Sequence, residues 1–361
     1  MRVAMFGVKG MPYPGGIEQT IEEIGPRLVK RGHEVVVYVR SFYTKERIDD
    51  YKGMKIIQTS GIHSKHLDAI THTTTATVDA LFRGTDMFFY HSIGLAPFAF
   101  LPRLFGKPSL VQVHGLDWER EKWGTVAKAY LKVGDYCTAH FPNKAFAVSR
   151  NNVAHFRTKY SKDVTFLPNG KPDLKYREPN KIKELGLEKE NYILFASRLV
   201  PEKGCHYLLD AFENIETDIK LVIAGDTSVH DTYYKNLLKR KSKRVLFTGF
   251  ATGELMEELY GNAALFVQPS EIEGLSNSVL SALSLGRCVL ASDVPGNMEL
   301  IGECGFTFAN KNVQDLAEKL EFLLANPDIR QSTGVKASLM VESEYDWEKI
   351  ADQLHLSLIE I

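Results

Sequence analysis

The chain has 361 residues, 44% of them hydrophobic and 25% charged, so it is long enough for two domain cores. No apolar run approaches the roughly 18 to 20 residues of a membrane helix, and the first residues lack the basic start and cleavage site of a signal peptide. The four cysteines are scattered without a Cys-x-x-Cys pair, so neither a disulfide framework nor a zinc site is indicated. We therefore expect a soluble, cytoplasmic protein.

The net charge of −1 hides an asymmetry between the two halves of the sequence. Residues 1–172 contain 24 Lys plus Arg against 15 Asp plus Glu, a net +9, whereas the remainder contains 20 against 30, a net −10. A basic half is typical of contact with nucleic acid, an anionic membrane surface or a phosphorylated ligand, and equally of an ordinary solvated surface.

In chain order, short apolar runs alternate with amphipathic stretches such as 17–30 and 205–214, which predict helices. Continuous apolar strands are buried on both faces, so the pattern predicts an α/β protein with two parallel, doubly wound sheets. The polar segment 167–186 reads as the linker between an N-terminal domain, 1–172, and a second domain, 173–344. The predicted strands are 3–8, 35–39, 87–90, 110–113, 145–148, 192–196, 220–224, 245–247, 265–267 and 289–291.

Ligands of such sheets bind beyond the carboxyl ends of the strands, so we expect the chemistry in the loops there and in a cleft between the domains. The first loop, "GVKGMPYPGGIEQ", has glycines that let the backbone approach a phosphate or a sugar before a helix N-terminus. It lacks G-x-G-x-x-G, and the second strand ends in Arg40 rather than an acidic residue. A nicotinamide dehydrogenase is therefore disfavoured.

Two loops of the second half carry charged residues suited to a diphosphate sugar. In "LFASRLVPEKG", Arg198 and Lys203 lie five residues apart after a strand, where they can clamp a diphosphate from two sides. In "FVQPSEIEGLSNSVLSALSLG", Glu271 and Glu273 precede a helix start, where we expect one of them simply to cap the helix. In the first half, "LVQVHGLDWEREKW" predicts a strand that leads into a helix, with His114, Gly115 and Asp117 in the turn.

Together these residues resemble the retaining glycosyltransferases of GT-B architecture, family 4. "YPGGIE" and "HGLDWEREKW" are most similar to the branch of rhamnosyl- and glucosyltransferases of bacterial surface polysaccharides. The ending, 345–361, resembles the helix that in GT-B enzymes crosses back onto the first domain. The resemblance spans nearly the whole chain through Gly15-Gly16, His114-Gly115, Val148-Ser149, Pro168-Asn169-Gly170, Arg198, Glu202-Lys203-Gly204, Ala224-Gly225-Asp226, Phe247-Thr248-Gly249, Pro269-Ser270 and Glu273-Gly274.

The resemblance implies two Rossmann-like domains facing a cleft, and transfer of a hexose or deoxyhexose from a UDP-, GDP- or dTDP-sugar to a saccharide or lipid-linked acceptor. Arg198 and Lys203 then hold the donor diphosphate and Glu273 contacts the donor hexose, while His114 donates to a sugar hydroxyl. These four are the expected catalytic residues. Further donor contacts are expected from Gly15, Gly16, Asn169, Gly249, Phe250, Pro269, Gly274, Leu275, Ser276 and Ser281, and acceptor contacts from Glu18, His72, His91 and Asp117.

No cofactor, metal or nucleic acid is expected. The sequence has no Asp-x-Asp, and His63, His66 and His72 are not spaced as a joint metal site on a helix. The basic half predicts peripheral contact with an anionic membrane at the inner face of the cell, where a lipid-linked acceptor resides. A catalytically degenerate sugar-nucleotide-binding protein and a GT-B nucleotide-sugar epimerase remain as alternatives.

One position departs from the family pattern. The family has a second glutamate, eight residues after the first, that accepts hydrogen bonds from the ribose; counting from Glu273 gives Ser281. A hydroxyl makes fewer such contacts than a carboxylate. Ser281 then reaches the ribose through water, or the donor contains a 2'-deoxyribose, or the chain has left nucleotide-sugar chemistry.

Overall fold

The computed structural model describes residues 1–13, 15–43, 47–64, 67–120, 123–227 and 232–361. The chain divides into two compact units, each described separately below. Unit 1 consists of Met1–Gly170 together with Tyr345–Ile361, and unit 2 consists of Lys171–Glu344. The first division therefore lies two residues before the predicted boundary at 172, and the end of the chain belongs to unit 1.

Unit 1 is built on a sheet of eight strands within the described residues, in the order β3-β4-β2-β1-β5-β6-β7-β8. All neighbours are parallel except β3 and β4. Two 3-10 segments, Ile93–Ala99 and Asp117–Glu119, follow β5 and β6. The elements are β1 (Arg2–Phe6), α1 (Gly16–Lys30), β2 (Glu34–Arg40), β3 (Asp50–Tyr51), β4 (Met54–Thr59), α2 (Asp68–Phe82), β5 (Met87–His91), α3 (Phe100–Arg103), β6 (Ser109–Val113), α4 (Thr125–His140), β7 (Lys144–Ala147), α5 (Arg150–Tyr160) and β8 (Thr165–Phe166).

The central strand β1 shows why this sheet is covered on both faces. Successive side chains of a strand point to opposite faces. Val3 and Met5 belong to a core cluster that includes α1, whereas Ala4 and Phe6 belong to a second cluster that includes α2. A strand that is apolar at every position thus fills two cores at once, as the continuous apolar pattern predicts.

Unit 2 contains a sheet of six parallel strands among the described residues, in the order β11-β10-β9-β12-β13-β14. A 3-10 turn, Pro201–Lys203, follows β9. The elements are α6 (Lys181–Glu184), β9 (Tyr192–Ala196), α7 (Cys205–Glu213), β10 (Lys220–Ala224), α8 (Thr232–Leu238), β11 (Val245–Gly249), α9 (Gly253–Asn262), β12 (Leu265–Gln268), α10 (Asn277–Ser284), β13 (Val289–Ser292), α11 (Pro295–Ile301), β14 (Phe306–Phe308), α12 (Val313–Ala325) and α13 (Pro327–Glu344).

The last helix, α14 (Trp347–Ile359), packs on unit 1. Its buried stripe joins the same core cluster as β1 and α1, because these residues recur at helical spacing: Trp347, Ile350, Ala351, Leu354 and Leu358. Arg27 of α1 and Arg31 at its C-cap form ion pairs with Glu348, and Arg31 also pairs with Asp352. The expected return of the final helix to the first domain is confirmed.

All ten predicted strands are confirmed, and four further strands were missed: β3, β4, β8 and β14. β4 escaped because exposed Lys55 separates buried Met54 from buried Ile56, and the other three have only two or three residues. Two local predictions were wrong. The supposed linker 167–186 contains α6, and the described residues between His114 and the start of α4 at Thr125 form a 3-10 turn, Asp117–Glu119, in place of the predicted helix.

The structure also changes the charge asymmetry. Unit 1 carries 24 Lys plus Arg against 19 Asp plus Glu, because Lys171 belongs to unit 2 while residues 345–361 add four acidic side chains and one basic one. Its net charge is +5 instead of the +9 of residues 1–172, and unit 2 has −6. Within the part of the chain described, no helix has the length and apolar character needed to cross a bilayer.

Candidate functional site

The loop that follows β9 in unit 2 is held tightly against the loop that follows β12. Gly204 has a φ of +69°, and a Cβ at this position would lie 1.9 Å from the carbonyl oxygen of Pro269. The backbone amide of Glu271 donates to the carbonyl oxygen of Glu202 at 3.0 Å. The close approach at Gly204 leaves no room for a side chain, so a glycine is required where the two loops meet.

Lys203 and Glu273 are brought together by these loops. Lys203 Nζ lies 2.5 Å from Glu273 Oε1, and both side chains are largely buried. The same carboxylate oxygen accepts from Ser270 Oγ at 2.7 Å and from Gln268 Nε2 at 3.1 Å. We call Lys203, Gln268, Ser270 and Glu273 the Glu273 network. It presents a fixed cation beside a fixed carboxylate at the carboxyl edge of the sheet.

A buried layer beneath this network positions the Ser270–Glu273 loop. Ser292 Oγ donates to the carbonyl oxygen of Ser270 at 2.5 Å, and Asn297 Nδ2 donates to Ser292 Oγ at 3.0 Å. A Cβ on Gly296 would lie 2.4 Å from the carbonyl oxygen of Glu273. Ser292, Gly296 and Asn297 were not predicted from the sequence, although "ASDVPGN" follows a predicted strand and places them at the same sheet edge.

Arg198 lies on the same loop as Lys203 but is not part of the Glu273 network. Its side chain is 59% exposed, and its Nη2 is 3.5 Å from Glu202 Oε1. The guanidinium therefore projects into solvent with only a weak local partner, and the fork geometry of its donors suits phosphate oxygens.

Glu271 has a structural environment distinct from that of Glu273. Its carboxylate accepts from Tyr207 OH at 2.8 Å and pairs with Lys311 Nζ at 2.8 Å. Burial raises the pKa of this carboxyl, but the hydrogen bonds from Lys311 and Tyr207 outweigh it and the net pKa is lowered. The expectation that one of the two glutamates caps α10 was wrong: Ser276 is the N-cap, and its Oγ accepts from the Val279 amide.

The remaining predicted donor residues of unit 2 fall into two groups. Gly249, with a φ of +71°, ends β11 and is followed by Phe250, whose side chain is exposed. Pro269, Gly274, Leu275 and Ser276 lie on the loop between β12 and α10 that also carries Glu273. All of them follow carboxyl ends of strands in the same sheet.

Ser281 is turned into unit 2. Only 8% of the residue is exposed, and its Oγ donates to the carbonyl oxygen of Asn277 one turn earlier at 2.8 Å. It also bonds Tyr260, whose pKa is raised to about 12 by burial. With its proton committed to the helix backbone, the hydroxyl is left to act as an acceptor.

In unit 1, the loop after β1 and the start of α1 are joined by Glu18. Its Oε1 accepts from the Lys9 amide at 2.8 Å, and a Cβ on Gly15 would lie 2.0 Å from Oε2. Thr20 Oγ1 lies 3.0 Å from the carbonyl oxygen of Gly16 and 2.9 Å from Asn169 Oδ1. The predicted residues Gly15, Gly16, Glu18 and Asn169 are thus gathered at one corner of unit 1, with Glu18 and Asn169 buried.

Two predicted histidines meet at the carboxyl ends of β5 and β6. His91 Nδ1 lies 3.4 Å from His114 Nε2. His91 is fully buried, and its Nε2 has no hydrogen-bond partner among the described residues. Burial lowers the pKa of His91 well below its usual range and lowers that of His114 to about 4. Both rings are neutral near pH 7, so each carries one N–H donor and one acceptor nitrogen.

The other predicted acceptor residues lie apart from this histidine pair. Asp117 Oδ1 pairs with Arg120 Nε at 3.1 Å on the turn after His114. His72 is only 1% exposed within α2, and burial together with Arg40 lowers its pKa to about 4. This burial argues against a direct acceptor contact by His72. His66, considered with it as a metal ligand, lies outside the described residues, among which no group of His, Cys, Asp or Glu is arranged to hold a metal.

Two family models match this chain, one largely in each unit. Residues 14–171 match the model of Glycosyltransferase Family 4, and residues 177–340 match that of Glycosyl transferases group 1. The two matches lie in units 1 and 2 respectively and together span most of the chain. The chain therefore contains a family 4 and a group 1 glycosyltransferase domain.

Proteins similar to this chain include two transferases and one structure with bound UDP-glucose. Alpha-D-kanosaminyltransferase of Streptomyces kanamyceticus is 25% identical over 73% of this chain and 74% of its own length. Lipopolysaccharide 1,2-N-acetylglucosaminetransferase of Salmonella typhimurium is 29% identical over 53% of this chain and 55% of its own. Anabaena HepE in complex with UDP-glucose has a TM-score of 0.83 and 18% identity over 100% of both chains. The GT-B fold of the glycosyltransferase is thereby confirmed.

Proposed function

We propose that this glycosyltransferase is a retaining hexosyltransferase that moves a hexose or deoxyhexose from a nucleotide-diphosphate sugar to a saccharide or lipid-linked acceptor in cell-surface polysaccharide synthesis. The observation that carries the proposal is the Glu273 network, in which a largely buried lysine and a largely buried glutamate are held together at the carboxyl edge of unit 2. A cation suits a diphosphate, and a carboxylate suits sugar hydroxyls.

Unit 2 holds the donor in this proposal. Lys203 and the exposed Arg198 bind the diphosphate, and Glu273 accepts a hydrogen bond from the sugar. When the diphosphate draws Lys203 away from Glu273, the carboxylate still keeps Ser270 and Gln268 as donors and stays in place. Arg198 and Lys203 then stabilise the charge that grows on the leaving group, an effect that is strongest where water is excluded.

The proposed transfer retains the anomeric configuration. The bond from the anomeric carbon to the diphosphate oxygen breaks, a new bond forms to the acceptor oxygen on the same face, and the acceptor proton passes to the departing diphosphate. No protein base is then required. His114 donates its single N–H to a hydroxyl of the transferred sugar, a role that suits an imidazole whose lowered pKa keeps it neutral.

The acceptor is assigned to unit 1, with a direct contact from Asp117, while fully buried His91 acts by positioning His114 through its Nδ1. Gly15 and Gly16 remain assigned to the donor. Glu18 contributes by fixing the loop after β1 through the Lys9 amide. The similarity to a lipopolysaccharide transferase supports a saccharide acceptor. Peripheral docking on an anionic membrane is retained as part of the proposal, although the net charge of unit 1 is lower than the sequence halves implied.

Metal independence is also proposed, because the sequence has no Asp-x-Asp and because Arg198 and Lys203 supply two cations for the leaving group. No cofactor has a role in this chemistry. Activity measured after dialysis against EDTA should equal that measured with added Mg²⁺ or Mn²⁺. Loss of activity with EDTA and its recovery with either metal would contradict the mechanism.

The donor nucleotide is proposed to be a UDP-, GDP- or dTDP-sugar, with Ser281 as the feature that separates them. Because the Ser281 hydroxyl can only accept a hydrogen bond, it can bind one hydroxyl of the ribose, directly or through a water molecule. A 2'-deoxyribose has one hydroxyl fewer to satisfy, which favours a dTDP-sugar.

The deciding experiment incubates the protein with each class of nucleotide sugar, with and without a mixture of saccharide acceptors, and follows products by mass spectrometry. Transfer products that require an acceptor support the proposal. Conversion of the donor alone into an isomeric sugar identifies an epimerase instead. Thermal stabilisation by a nucleotide sugar without any product identifies a binding protein, the alternative that the inward-turned Ser281 favours.

A further inference from the structure

Lys9 of unit 1 is held through its backbone at the carboxyl edge of the sheet. Its amide donates to Glu18 Oε1 at 2.8 Å, and its carbonyl oxygen accepts from the Arg40 amide at 3.0 Å. The backbone of Lys9 is therefore tied both to the start of α1 and to the end of β2. The side chain begins from a defined point between two loops of the same edge.

Two tyrosine rings flank the Lys9 ammonium. Its Nζ lies 5.2 Å from the ring centroid of Tyr43 and 5.7 Å from that of Tyr13. The two rings meet edge to face at 5.8 Å. Tyr43 OH donates to Asp68 Oδ2 at 3.0 Å, so its ring cannot turn away without losing that bond. A cation within about 6 Å of two ring faces is attracted by both, and the rings hold it in place.

No carboxylate neutralises Lys9 within the described residues. The nearby Glu18 carboxylate bonds the Lys9 backbone and does not form an ion pair with the ammonium. The other charges at this corner cancel, because Arg40 Nη1 pairs with Asp68 Oδ2 at 2.8 Å. Of these groups, only Lys9 has a positive charge without a counter-charge in the structure as described.

The Arg40–Asp68 pair is itself incompletely bonded. Both residues are buried, and neither Arg40 Nε nor Asp68 Oδ1 has a hydrogen-bond partner among the described residues. Buried polar atoms of this kind are normally satisfied by ordered water or by a ligand. The corner behind Lys9 is thus polar and able to order water around a bound anion.

An exposed aromatic face continues from the same loop. Phe42 is 46% exposed and stacks on His63, with ring centroids 4.9 Å apart and planes 15° apart. His63 in turn lies 5.9 Å from the Tyr43 ring. A sugar presents an apolar C–H face that packs on flat aromatic surfaces. The arrangement therefore combines a platform for a sugar ring with a cation for a negative group.

We propose that Lys9, Tyr13, Tyr43 and the Phe42–His63 face form an acceptor subsite for a saccharide that carries an anionic group. This inference rests on the proposed function and specifies its acceptor class. The anion pairs with Lys9 Nζ, and the adjoining sugar ring packs on the aromatic face. Carboxylate of an acidic sugar and phosphate of a diphosphate-linked lipid share this chemistry.

Direct binding tests the subsite without any transfer reaction. Three probes are titrated by calorimetry against the intact protein: a glucuronyl-terminated disaccharide, the matching glucosyl-terminated disaccharide, and glucose linked through diphosphate to a short prenyl chain. At least one anionic probe should bind on the order of tenfold or more tighter than the neutral disaccharide, the scale of a charge-assisted hydrogen bond. Its advantage should shrink as salt is raised. Whichever anionic probe binds more tightly shows whether the natural acceptor carries an acidic sugar or a diphosphate-linked lipid.

The variant Lys9→Met keeps an aliphatic stem between the tyrosines and removes only the charge. It should abolish the preference for the anionic probe, while Lys162→Met, at an exposed lysine of unit 1, should leave that preference intact. In the transfer assay the same loss should appear as a raised KM for the anionic acceptor, with kcat changed little. Equal binding of all three probes by the wild-type protein, or an unchanged preference in Lys9→Met, overturns the subsite.

Failure of the proposed function looks different. If no nucleotide sugar binds or reacts, the donor proposal fails whatever the acceptor probes do. If transfer occurs with equal kcat/KM to acidic and neutral acceptors, the glycosyltransferase proposal survives and the anionic subsite is wrong.

Discussion

The carboxyl edges of the two sheets satisfy their polar groups in different ways. In unit 2, one carboxylate oxygen of Glu273 receives donors from Lys203, Ser270 and Gln268, and the loop beneath is bonded in turn. In unit 1, His91 Nε2, Arg40 Nε and Asp68 Oδ1 are buried with no partner among the described residues. An unsatisfied buried polar group costs about 1 to 3 kcal/mol. In unit 2, Gln268 Oε1 and Asn297 Oδ1 also lack a partner among the described residues, so the contrast lies in the charged groups. Unit 2 holds the Glu273 carboxylate with three donors, whereas unit 1 leaves part of the Arg40–Asp68 pair for water or a ligand to bind.

The largest effect on the unit 2 side is expected from Gly204→Ala. The new Cβ would lie 1.9 Å from the Pro269 carbonyl oxygen at a φ of +69°, so the two loops must separate. We expect the free energy of unfolding to fall by about 3 kcal/mol or more, from the clash and the unfavourable backbone together.

The matched control for this substitution is Gly253→Ala. Gly253 has a φ of +56° but no atom within 4 Å of its added Cβ. Only the backbone preference is then lost, at about 1 kcal/mol. Urea unfolding curves of Gly204→Ala and Gly253→Ala then separate the cost of the steric clash from that of the backbone conformation. Equal losses would show that the Pro269 contact is not rigid and that the unit 2 edge is looser than described.

The second prediction concerns turnover. Lys203→Ala removes a cation that stabilises the leaving group and leaves Glu273 without its ionic partner, so kcat/KM should fall on the order of a hundredfold or more. Arg198→Ala should have an effect of similar size on kcat/KM but less on stability, because its side chain is exposed.

Lys243→Ala, at an exposed lysine of the same unit, serves as the control and should keep its activity and melting temperature. The assay is initial-rate kinetics with thermal melting alongside. If either Lys203→Ala or Arg198→Ala keeps near-normal activity, that residue does not bind the diphosphate.

The third prediction concerns how the stability of unit 1 depends on pH. The folded pKa of His72 is about 4, below the value near 6.5 of an unfolded chain, so the folded state holds the neutral ring and the unfolded state takes up the proton first. The stability due to neutral His72 is complete above pH 6.5 and is lost as pH falls toward 4. We expect a loss on the order of 2 to 3 kcal/mol from this residue.

Unfolding measured by guanidinium at pH 7, 5.5 and 4.5 checks this, with His72→Gln and His63→Gln compared with the wild type. His72→Gln should flatten the acid branch, and His63→Gln, at an exposed ring, should not. An acid branch that is the same in all three proteins would mean that His72 is not desolvated.

The smallest expected effect concerns Ser281. A glutamate there offers two acceptor oxygens to the ribose, so Ser281→Glu should tighten UDP or GDP binding by roughly 1 to 2 kcal/mol and dTDP binding less. Ser281→Ala is the control for removing the hydroxyl bond to Asn277 without adding a carboxylate. Calorimetric titration with the three nucleotides decides it. Affinities that do not change in Ser281→Glu would show that position 281 does not face the ribose.

Most of the fold could be predicted because its strands are apolar at consecutive positions and its glycines mark the loops. The Glu273 network was partly foreseen: Lys203 and Glu273 were named from their loops, but Ser292, Gly296 and Asn297 were not. Their role depends on the contacts of Ser292 with Ser270 and of Gly296 with Glu273, more than 20 positions apart in the chain, and no local pattern encodes those.

Unit 1 was harder to predict, since its acceptor residues have no common motif. His114 and His91 were named and do meet, but His72 was chosen by type and proves to be interior. Lys9 was passed over because a lone lysine in a glycine-rich loop has many exposed counterparts. Its significance comes from two tyrosines that follow different strands, which only the fold brings together.

Because α14 packs on unit 1, only unit 1 needs the final residues of the chain to be complete. Unit 2 is one uninterrupted segment, Lys171–Glu344, whereas unit 1 is made from two segments that unit 2 separates in the chain. Unit 1 starts first yet is completed only when Trp347, Ile350 and Leu354 leave the ribosome and cover α1. A premature stop near residue 344 would thus spare the later-made unit and leave the earlier-made one with an open apolar face.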